Sequence, residues 1–247
     1  AAQARAAGLP VATAGTGDEA DYRLTGYEPV APLGGRARLR TPSEEVTVSL
    51  GLPGWHNMVD AAVAIAMLER AGVPAGLALP GLAQAQVPGR MQVLPLPGNA
   101  PTVIVDFAHT PQAVAATLEA LQGFAQVITV VGCGGDRDPD KRPMMGHAAS
   151  SRSDILIITD DNPRSEDPAS IRAAMIAGTA DSRARVIEVG GRGQAIDLAL
   201  ATAGRDSVVA ILGKGHEQGQ QIGDRIVAFD DAVVALEAWR RMEGSGR

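Results

Sequence analysis

The chain has 247 residues, 45% hydrophobic and 20% charged, with a formal charge of -6 and a single cysteine, Cys133. This composition excludes a disordered polymer or a coiled coil, and the length leaves room for two modest domains, each with its own core. The lack of a basic block argues against a nucleic-acid partner, no run reaches the roughly 18 apolar residues of a membrane span, and one cysteine suits a reducing cytoplasm.

The chain opens on AAQARAAGLP, which reads as the end of a helix running into a strand. There is no initiating methionine, so a piece of a longer protein is expected. From residue 9 to 50, LPVATAG, ADYRLTGYEPV, RARLRTP and EEVTVSL are short strand-like runs divided by Gly and Pro, a pattern that predicts antiparallel pairing. HNMVDAAVAIAMLERAGV then sets Met58, Ala61, Ala62, Ile65 and Leu68 at helical spacing, with Gly72 as the stop. A second short helix is expected after Pro74. Four prolines and two glycines between Val87 and Pro101 predict a hinge between domains, divided here as 1–95 and 96–247.

Beyond that point apolar strands alternate with amphipathic helices. TVIVDFA, VITVVGCGG, DILIITDD, RVIEVG and SVVAILGKG are the strands, separated by stretches such as TPQAVAATLEALQGF and RGQAIDLALATAG. Continuously apolar strands interleaved with helices predict a doubly wound α/β domain whose mostly parallel sheet is covered on both faces. RIVAFDDAVVALEAWRRM is expected to add a last strand and helix, and EGSGR reads as a loose tail.

In such sheets ligands bind beyond the carboxyl ends of the strands, which makes the strand exits the places to look. VDFAHTP supplies Asp106 and His109, GCGGDRDPDKRP supplies Arg137 and Lys141, DDNPR supplies Asp160 to Arg164, and GKGHE supplies Lys214, His216 and Glu217. Arg137 and Arg164 present planar forks suited to a carboxylate, while Asp161, Asn162 and Glu217 can accept from an ammonium group. Pro163 fixes one backbone angle and aims its neighbours. A ligand charged at both ends, such as a diamino diacid, uses every one of these groups. Each motif also has a plainer reading. SEDP holds a cap for the next helix, with Ser165 and Asp167 in structural roles; GCGGDRDPDKRP is a glycine-rich turn that can equally cradle phosphate, although it matches neither G-x-G-x-x-G nor a Walker loop; GKGHE is a tight turn with a solvated lysine; His109 is an ordinary histidine near a helix start.

In their order, VDFAHTP, GCGGDRDPDKRP, DDNPR and GKGHE resemble the carboxyl-terminal domain of the Mur ligases, in the form found in the UDP-N-acetylmuramoyl-tripeptide synthetases (MurE). LPGWHNMVDAAVAIAMLERAGV and VPGRMQVL resemble the end of that family's ATP-binding central domain. The resemblance implies a cytoplasmic, monomeric enzyme of peptidoglycan precursor synthesis. It would use ATP to form an acyl-phosphate on a UDP-linked muramoyl dipeptide, which the amine of meso-diaminopimelate then attacks. It implies a diaminopimelate site of Arg137, Asp161, Asn162, Pro163, Arg164, Gly213 and Glu217, with Arg164 selecting the distal carboxylate that lysine lacks. ATP contacts would fall to Asn57, Arg90 and Asp106, and catalytic contacts to His109 and Lys141. For Asn57 the plainer reading is a helix cap, and for Arg90 a solvated charge between domains.

The sequence also departs from that family. No G-x-x-x-x-G-K-[ST] loop occurs, so the phosphate cradle is missing, and the Mg2+ ligands are expected upstream of this chain with no metal ligand within it. This polypeptide alone is therefore expected not to ligate. Two other readings stand beside the ligase: a non-catalytic module that binds a small zwitterion, and another superfamily member such as a folylpolyglutamate synthase, against which DNPR and GKGHE argue.

Overall fold

The computed structural model of the chain describes residues 2–31 and 33–244. It divides into two compact units, 1–86 and 87–247. In the first, α1 (Ala2–Ala6) and the two-residue strand β1 (Ala14–Gly15) lead into β2 (Tyr22–Pro29), β3 (Gly35–Arg40) and β4 (Glu45–Leu50). The pairs β2–β3 and β3–β4 are antiparallel, as the short Gly- and Pro-divided runs suggested, while β1 lies parallel to β2. One face of this sheet is apolar. Ala37, Leu39, Val46, Val48 and Leu50 are buried and alternate with exposed or half-buried neighbours, which is the signature of a sheet covered on one side.

The cover is α2 (Trp55–Arg70), which packs on β2, β3 and β4, followed by α3 (Ala75–Ala83). Met58, Ala61, Ala62 and Ile65 face inward as their spacing requires. Leu68 does not: it is 36% exposed, and Ala66 takes the inward position nearest it. Gly72 ends the segment with a φ of 87°, a left-handed conformation that a side chain would disfavour.

The second unit is built on a six-stranded sheet. Its strands are β5 (Gln92–Val93), β6 (Thr102–Asp106), β7 (Gln126–Val131), β8 (Ile155–Ile158), β9 (Arg185–Glu188) and β10 (Ser207–Leu212), in the spatial order β5-β6-β10-β7-β8-β9. All pairings among β6 to β10 are parallel, and only the edge strand β5 runs against its neighbour. The proline-rich segment pointed to a division at 95/96, whereas the compact units part between Gln86 and Val87, because Gln92 and Val93 hydrogen-bond to β6 and draw residues 87–95 into this sheet.

Helices α4 (Pro111–Glu119), α5 (Lys141–Ser150) and α6 (Pro168–Ala177) pack side by side, and α7 (Arg192–Thr202) packs with α8 (Asp231–Gly244). Val103, Val105, Ile128, Val130, Ile155, Ile157, Val209 and Ile211 point to the α7–α8 face, where they meet Ile196, Leu200, Ala235 and Ala238. Strand alternation sends Ile104, Leu156, Ile158, Val208 and Ala210 to the other face. Burial on both sides explains why these strands read as unbroken apolar runs.

RIVAFDDA supplies no further strand to the main sheet. Arg225–Ala228 is β12, and it pairs with β11 (Gly219–Ile222) in a separate antiparallel hairpin. Residues 245–247 of the EGSGR tail lie outside the described residues, and its first two, Glu243 and Gly244, are the last turn of α8.

Candidate functional site

The strands β6 and β10 are neighbours, yet α4, which follows β6, lies with α5 and α6, while α8, reached from β10 through the hairpin, lies with α7. Chain segments that diverge to opposite faces leave a crevice at the carboxyl edge between them. Every loop predicted to carry chemistry in this unit exits along that edge.

The loop after β10 begins with Gly213, whose φ is 113° and whose N–H donates to the Asp106 carbonyl at 3.0 Å. A Cβ at this position would stand 2.7 Å from Asp161 Oδ2, so the carboxylate approaches the backbone here only because no side chain intervenes. Lys214, expected as a possible solvated turn residue, is instead fully buried. Its Nζ donates to Asn162 Oδ1 and to Glu217 Oε2, each at 3.1 Å, with Asp161 Oδ1 at 4.0 Å. Asn162 Nδ2 donates to the same Glu217 oxygen at 2.9 Å, and Asn162 Oδ1 also accepts the N–H of Gln221 at 2.9 Å. Lys214, Asn162 and Glu217 are thus one hydrogen-bonded unit, with Asp161 beside it.

The acids of this unit are held in opposite ways. Burial pushes the Glu217 carboxyl up, but the hydrogen bonds from Asn162 and Lys214, with the charges of Lys214 and Arg164, outweigh it and leave the group below its ordinary value. Asp161 is more deeply buried. Burial, aided by the Glu217 and Asp231 charges, raises it against the pull of Arg192 and Lys214. Asp160, next in sequence, belongs elsewhere: its carboxylate pairs with Arg172 of α6, which also holds Glu188 of β9 at 2.8 Å.

Pro163 is buried, and Arg164 follows it with a φ of 52°, a conformation costing about 1–2 kcal/mol in a non-glycine residue. The hairpin holds it there. Arg164 N–H donates to the Gln221 carbonyl at 3.1 Å, Gly223 N–H donates to the Arg164 carbonyl at 2.7 Å, and the guanidinium donates to the Gly135 carbonyl at 2.6 Å. The turn that receives Arg164 also carries the exposed Arg137, whose guanidinium donates to the Asp136 carbonyl at 3.0 Å.

Two groups absent from the sequence reading stitch these loops together. Asp136 accepts from the Ser165 N–H and hydroxyl at 3.2 and 2.7 Å, and Glu166 accepts from the Asp136 N–H and, at 2.8 Å, from the buried Arg142. Asp167 caps α6, accepting from Ala169 and Ser170 N–H. Ser165 and Asp167 are accordingly structural, as expected. Cys133 in the same glycine-rich turn is buried, and its thiol is pushed up to about 12, chiefly by that burial, which makes it inert.

On the β6 side the side chains form a second group. Both oxygens of Asp106 are engaged, accepting from Met91 N–H at 2.7 Å, Ala108 N–H at 2.9 Å and the Thr117 hydroxyl at 3.1 Å. Asp106 thereby anchors the 89–91 turn, and Arg90 from that turn stacks its guanidinium on the Phe107 ring, 4.5 Å from the centroid. His109 and His216 lie against the same ring, with centroids at 4.5 and 5.8 Å. Lys141 donates to the His109 carbonyl at 3.4 Å. Arg90, His109, Lys141 and His216 make a cationic and imidazole-bearing rim around one aromatic ring.

Asn57 lies in the first unit and is not the cap of α2; Gly54 is, while the Asn57 amide donates to the Pro53 carbonyl at 2.6 Å and closes the first turn. The same unit has a cavity of about 670 Å³ bordered by Asp21, Tyr22, Ser43, Glu44 and Glu69. Glu69 there already accepts from the Ser43 and Thr41 hydroxyls. Among the described residues no three His, Cys, Asp or Glu side chains gather as a cation site, and no helix is long and apolar enough to cross a membrane.

Comparison with known proteins agrees with this geometry. The family model described as "Mur ligase, glutamate ligase domain" matches residues 89–215, just over half of the chain. The UDP-N-acetylmuramoyl-L-alanyl-D-glutamate--2,6-diaminopimelate ligase of Corynebacterium efficiens is 40% identical over 98% of this chain and 48% of its own length. The enzyme of that name from Synechococcus sp. WH7803 is 41% identical over 90% of this chain and 45% of its own. A solved structure bearing the same enzyme name is 33% identical, with a TM-score of 0.65 over 92% of this chain and 47% of its own. Folylpolyglutamate synthase of Mycobacterium tuberculosis, 22% identical with a TM-score of 0.67, shares the fold. The chain spans about half the length of the curated relatives it matches. With the family model covering the six-stranded sheet and its carboxyl-edge loops as far as Gly215, this chain belongs to the Mur ligase family.

Proposed function

We propose that this chain is the amino-acid-binding part of a Mur ligase that adds meso-diaminopimelate to UDP-N-acetylmuramoyl-L-alanyl-D-glutamate, acting as a cytoplasmic monomer with ATP and Mg2+. The observation that carries the reading is the hydrogen-bonded pair of Asn162 and Glu217 at the exits of β8 and β10, with the charge of Arg164, itself bonded to the Gly135 carbonyl, acting on the Glu217 carboxylate. Arg164 and Arg137 take the carboxylate of the distal end of the ligand; Glu217 and Asp161 take the ammonium beside it. Gly213 keeps the approach open, and Pro163 sets the loop.

Arg90, His109 and Lys141 line the rim where the nucleotide and the reacting carboxylate meet. Asp106 works there by fixing the Arg90 turn, since its own oxygens are already occupied. Residues up to Gln86 belong in this reading to the end of the ATP-binding central domain, with Asn57 reaching the adenine. ATP, when bound, supplies the phosphoryl group that activates the dipeptide carboxylate. The magnesium ligands are assigned in this reading to the portion of the relatives that this chain does not span, since among the described residues no three His, Cys, Asp or Glu side chains gather as a cation site. What this chain contributes is orientation of the incoming amine and electrostatic stabilisation.

Calorimetry on the isolated chain tests the reading. Diaminopimelate is expected to bind more tightly than lysine, and Arg164→Ala is expected to weaken it by about 2–5 kcal/mol. Equal affinity for the two amino acids, or no binding at all, would show the assignment to be wrong. A turnover assay with ATP, the UDP-dipeptide and diaminopimelate is expected to yield no product from this polypeptide. Supplying the upstream half in trans or by fusion restores product only if the chain is part of a ligase rather than a non-catalytic binding module.

A further inference from the structure

We propose that Lys214 is a positioning residue: a buried ammonium that locks Asn162 and one oxygen of Glu217 in place and so presents the other Glu217 oxygen to the second amine of the ligand. The inference rests on the amino-acid-binding reading above and deepens it.

The choice of residue is the first indication. Of 22 basic side chains only two are lysines, Lys141 and Lys214, and both leave the same edge of the sheet. Arginine fills the other basic positions, including the buried Arg142 and Arg192. A lysine at 214 is therefore not what the composition of this chain supplies by default. Its ammonium is a compact point charge that serves the two acceptors Asn162 Oδ1 and Glu217 Oε2, where guanidinium would bring a planar fork of five donors.

The hydrogen bonds supply the second indication. Asn162 Oδ1 accepts from both Lys214 Nζ and Gln221 N–H, which forces the amide nitrogen toward Glu217. Glu217 Oε2 then accepts two donors, while no hydrogen bond engages Oε1 among the described residues. The Glu217 side chain keeps 38% of its exposure, so this oxygen has access to a ligand.

Charge completes the case. Asp161 and Glu217 are two acids; Lys214 offsets one, and Arg192, the other buried cation near them, is already matched by Asp231. The charge of Arg164 also reaches Glu217 and in this reading is kept for the ligand's carboxylate, which leaves the free Glu217 oxygen to an ammonium. Without Lys214, Glu217 would lose a donor and its buried counter-charge, and Asn162 Oδ1 would keep only the Gln221 N–H.

The test uses the native chain and two ligands, meso-diaminopimelate and 2-aminopimelate, which keeps both carboxylates but lacks one amine. Lys214→Met is expected to weaken diaminopimelate about tenfold or more and to leave 2-aminopimelate nearly unchanged, erasing the preference between them. A lysine serving only to hold the loop would weaken both ligands alike. Because a buried substitution can impair folding, the native protein is also labelled with 15N at lysine Nζ. Two signals result, and the one retained in Lys141→Arg belongs to Lys214. It is expected to shift on addition of diaminopimelate and to move little with 2-aminopimelate. If the native chain binds diaminopimelate but the preference survives in Lys214→Met, or the Nζ signal does not respond, this inference falls and the functional reading stands. If the native chain does not bind diaminopimelate, both fall.

Discussion

Replacing Asp231 by leucine should cost the second unit about 3–5 kcal/mol of stability, since it leaves a buried guanidinium without its counter-charge. Asp231 and Arg192 both have fully buried side chains, joined by two bonds of 2.7 Å in a forked pair. Once the carboxylate is gone, Arg192 keeps only its 2.9 Å bond to the Leu212 carbonyl. Its Nη1 has no hydrogen-bond partner even with Asp231 present, so the pair is imperfectly satisfied from the start. Exchanging both residues, Arg192→Met with Asp231→Leu, should therefore recover most of the loss. Typical domains hold only about 5–15 kcal/mol in total, which makes the single change easy to detect. Urea unfolding followed by Trp239 fluorescence, in a Trp55→Phe background, reports on this unit, because Trp239 is 6% exposed and donates to the Pro97 carbonyl at 3.1 Å. A loss below about 1 kcal/mol for Asp231→Leu, or a double variant no better than the single one, would refute the argument.

Other expectations follow from the same geometry. The depressed Glu217 carboxyl adds stability that is present above its ordinary value of 4.5 and is lost as pH falls through its folded value. Asp161, raised from 3.8, acts in the opposite sense, with stability falling as pH rises from that value toward the folded one. Acid unfolding curves should therefore become shallower in Glu217→Gln and steeper in Asp161→Asn; a change of the same sign in both would contradict the assignment. Gly213→Ala should cost about 1–3 kcal/mol in thermal melts, from its φ of 113° and the crowded Asp161 carboxylate, and should also weaken diaminopimelate in calorimetry. Asp167→Ala removes the α6 cap, and a melting experiment should register about 1 kcal/mol without loss of ligand affinity.

Much of this molecule is legible from local pattern, because a side chain's preference for one face or one turn is a property of short segments. The unbroken apolar runs at β6, β7, β8 and β10 announce strands buried on both sides, and the alternating runs at β3 and β4 announce a sheet covered on one side. The polar load at each strand exit, the cap at Asp167 and the stop at Gly72 were visible for the same reason. Composition held one more clue, in the scarcity of lysine, that only the burial of Lys214 made meaningful.

Long-range pairing decided the rest. Nothing in SVVAIL states that β10 inserts between β6 and β7, yet that insertion creates the crevice and brings GKGHE beside DNPR. The adjacent acids Asp160 and Asp161 look alike in sequence; alternation turns one toward Arg172 and the other toward Lys214. Gln92 and Val93 join the second sheet because β6 offers an open edge, and Ile222 and Arg225 form a hairpin because Arg164 supplies backbone partners for its first strand. A residue's chemistry is written in the chain, but whether its charge meets water, a partner or a ligand depends on neighbours distant in sequence, and these exist only once the strands have taken their order.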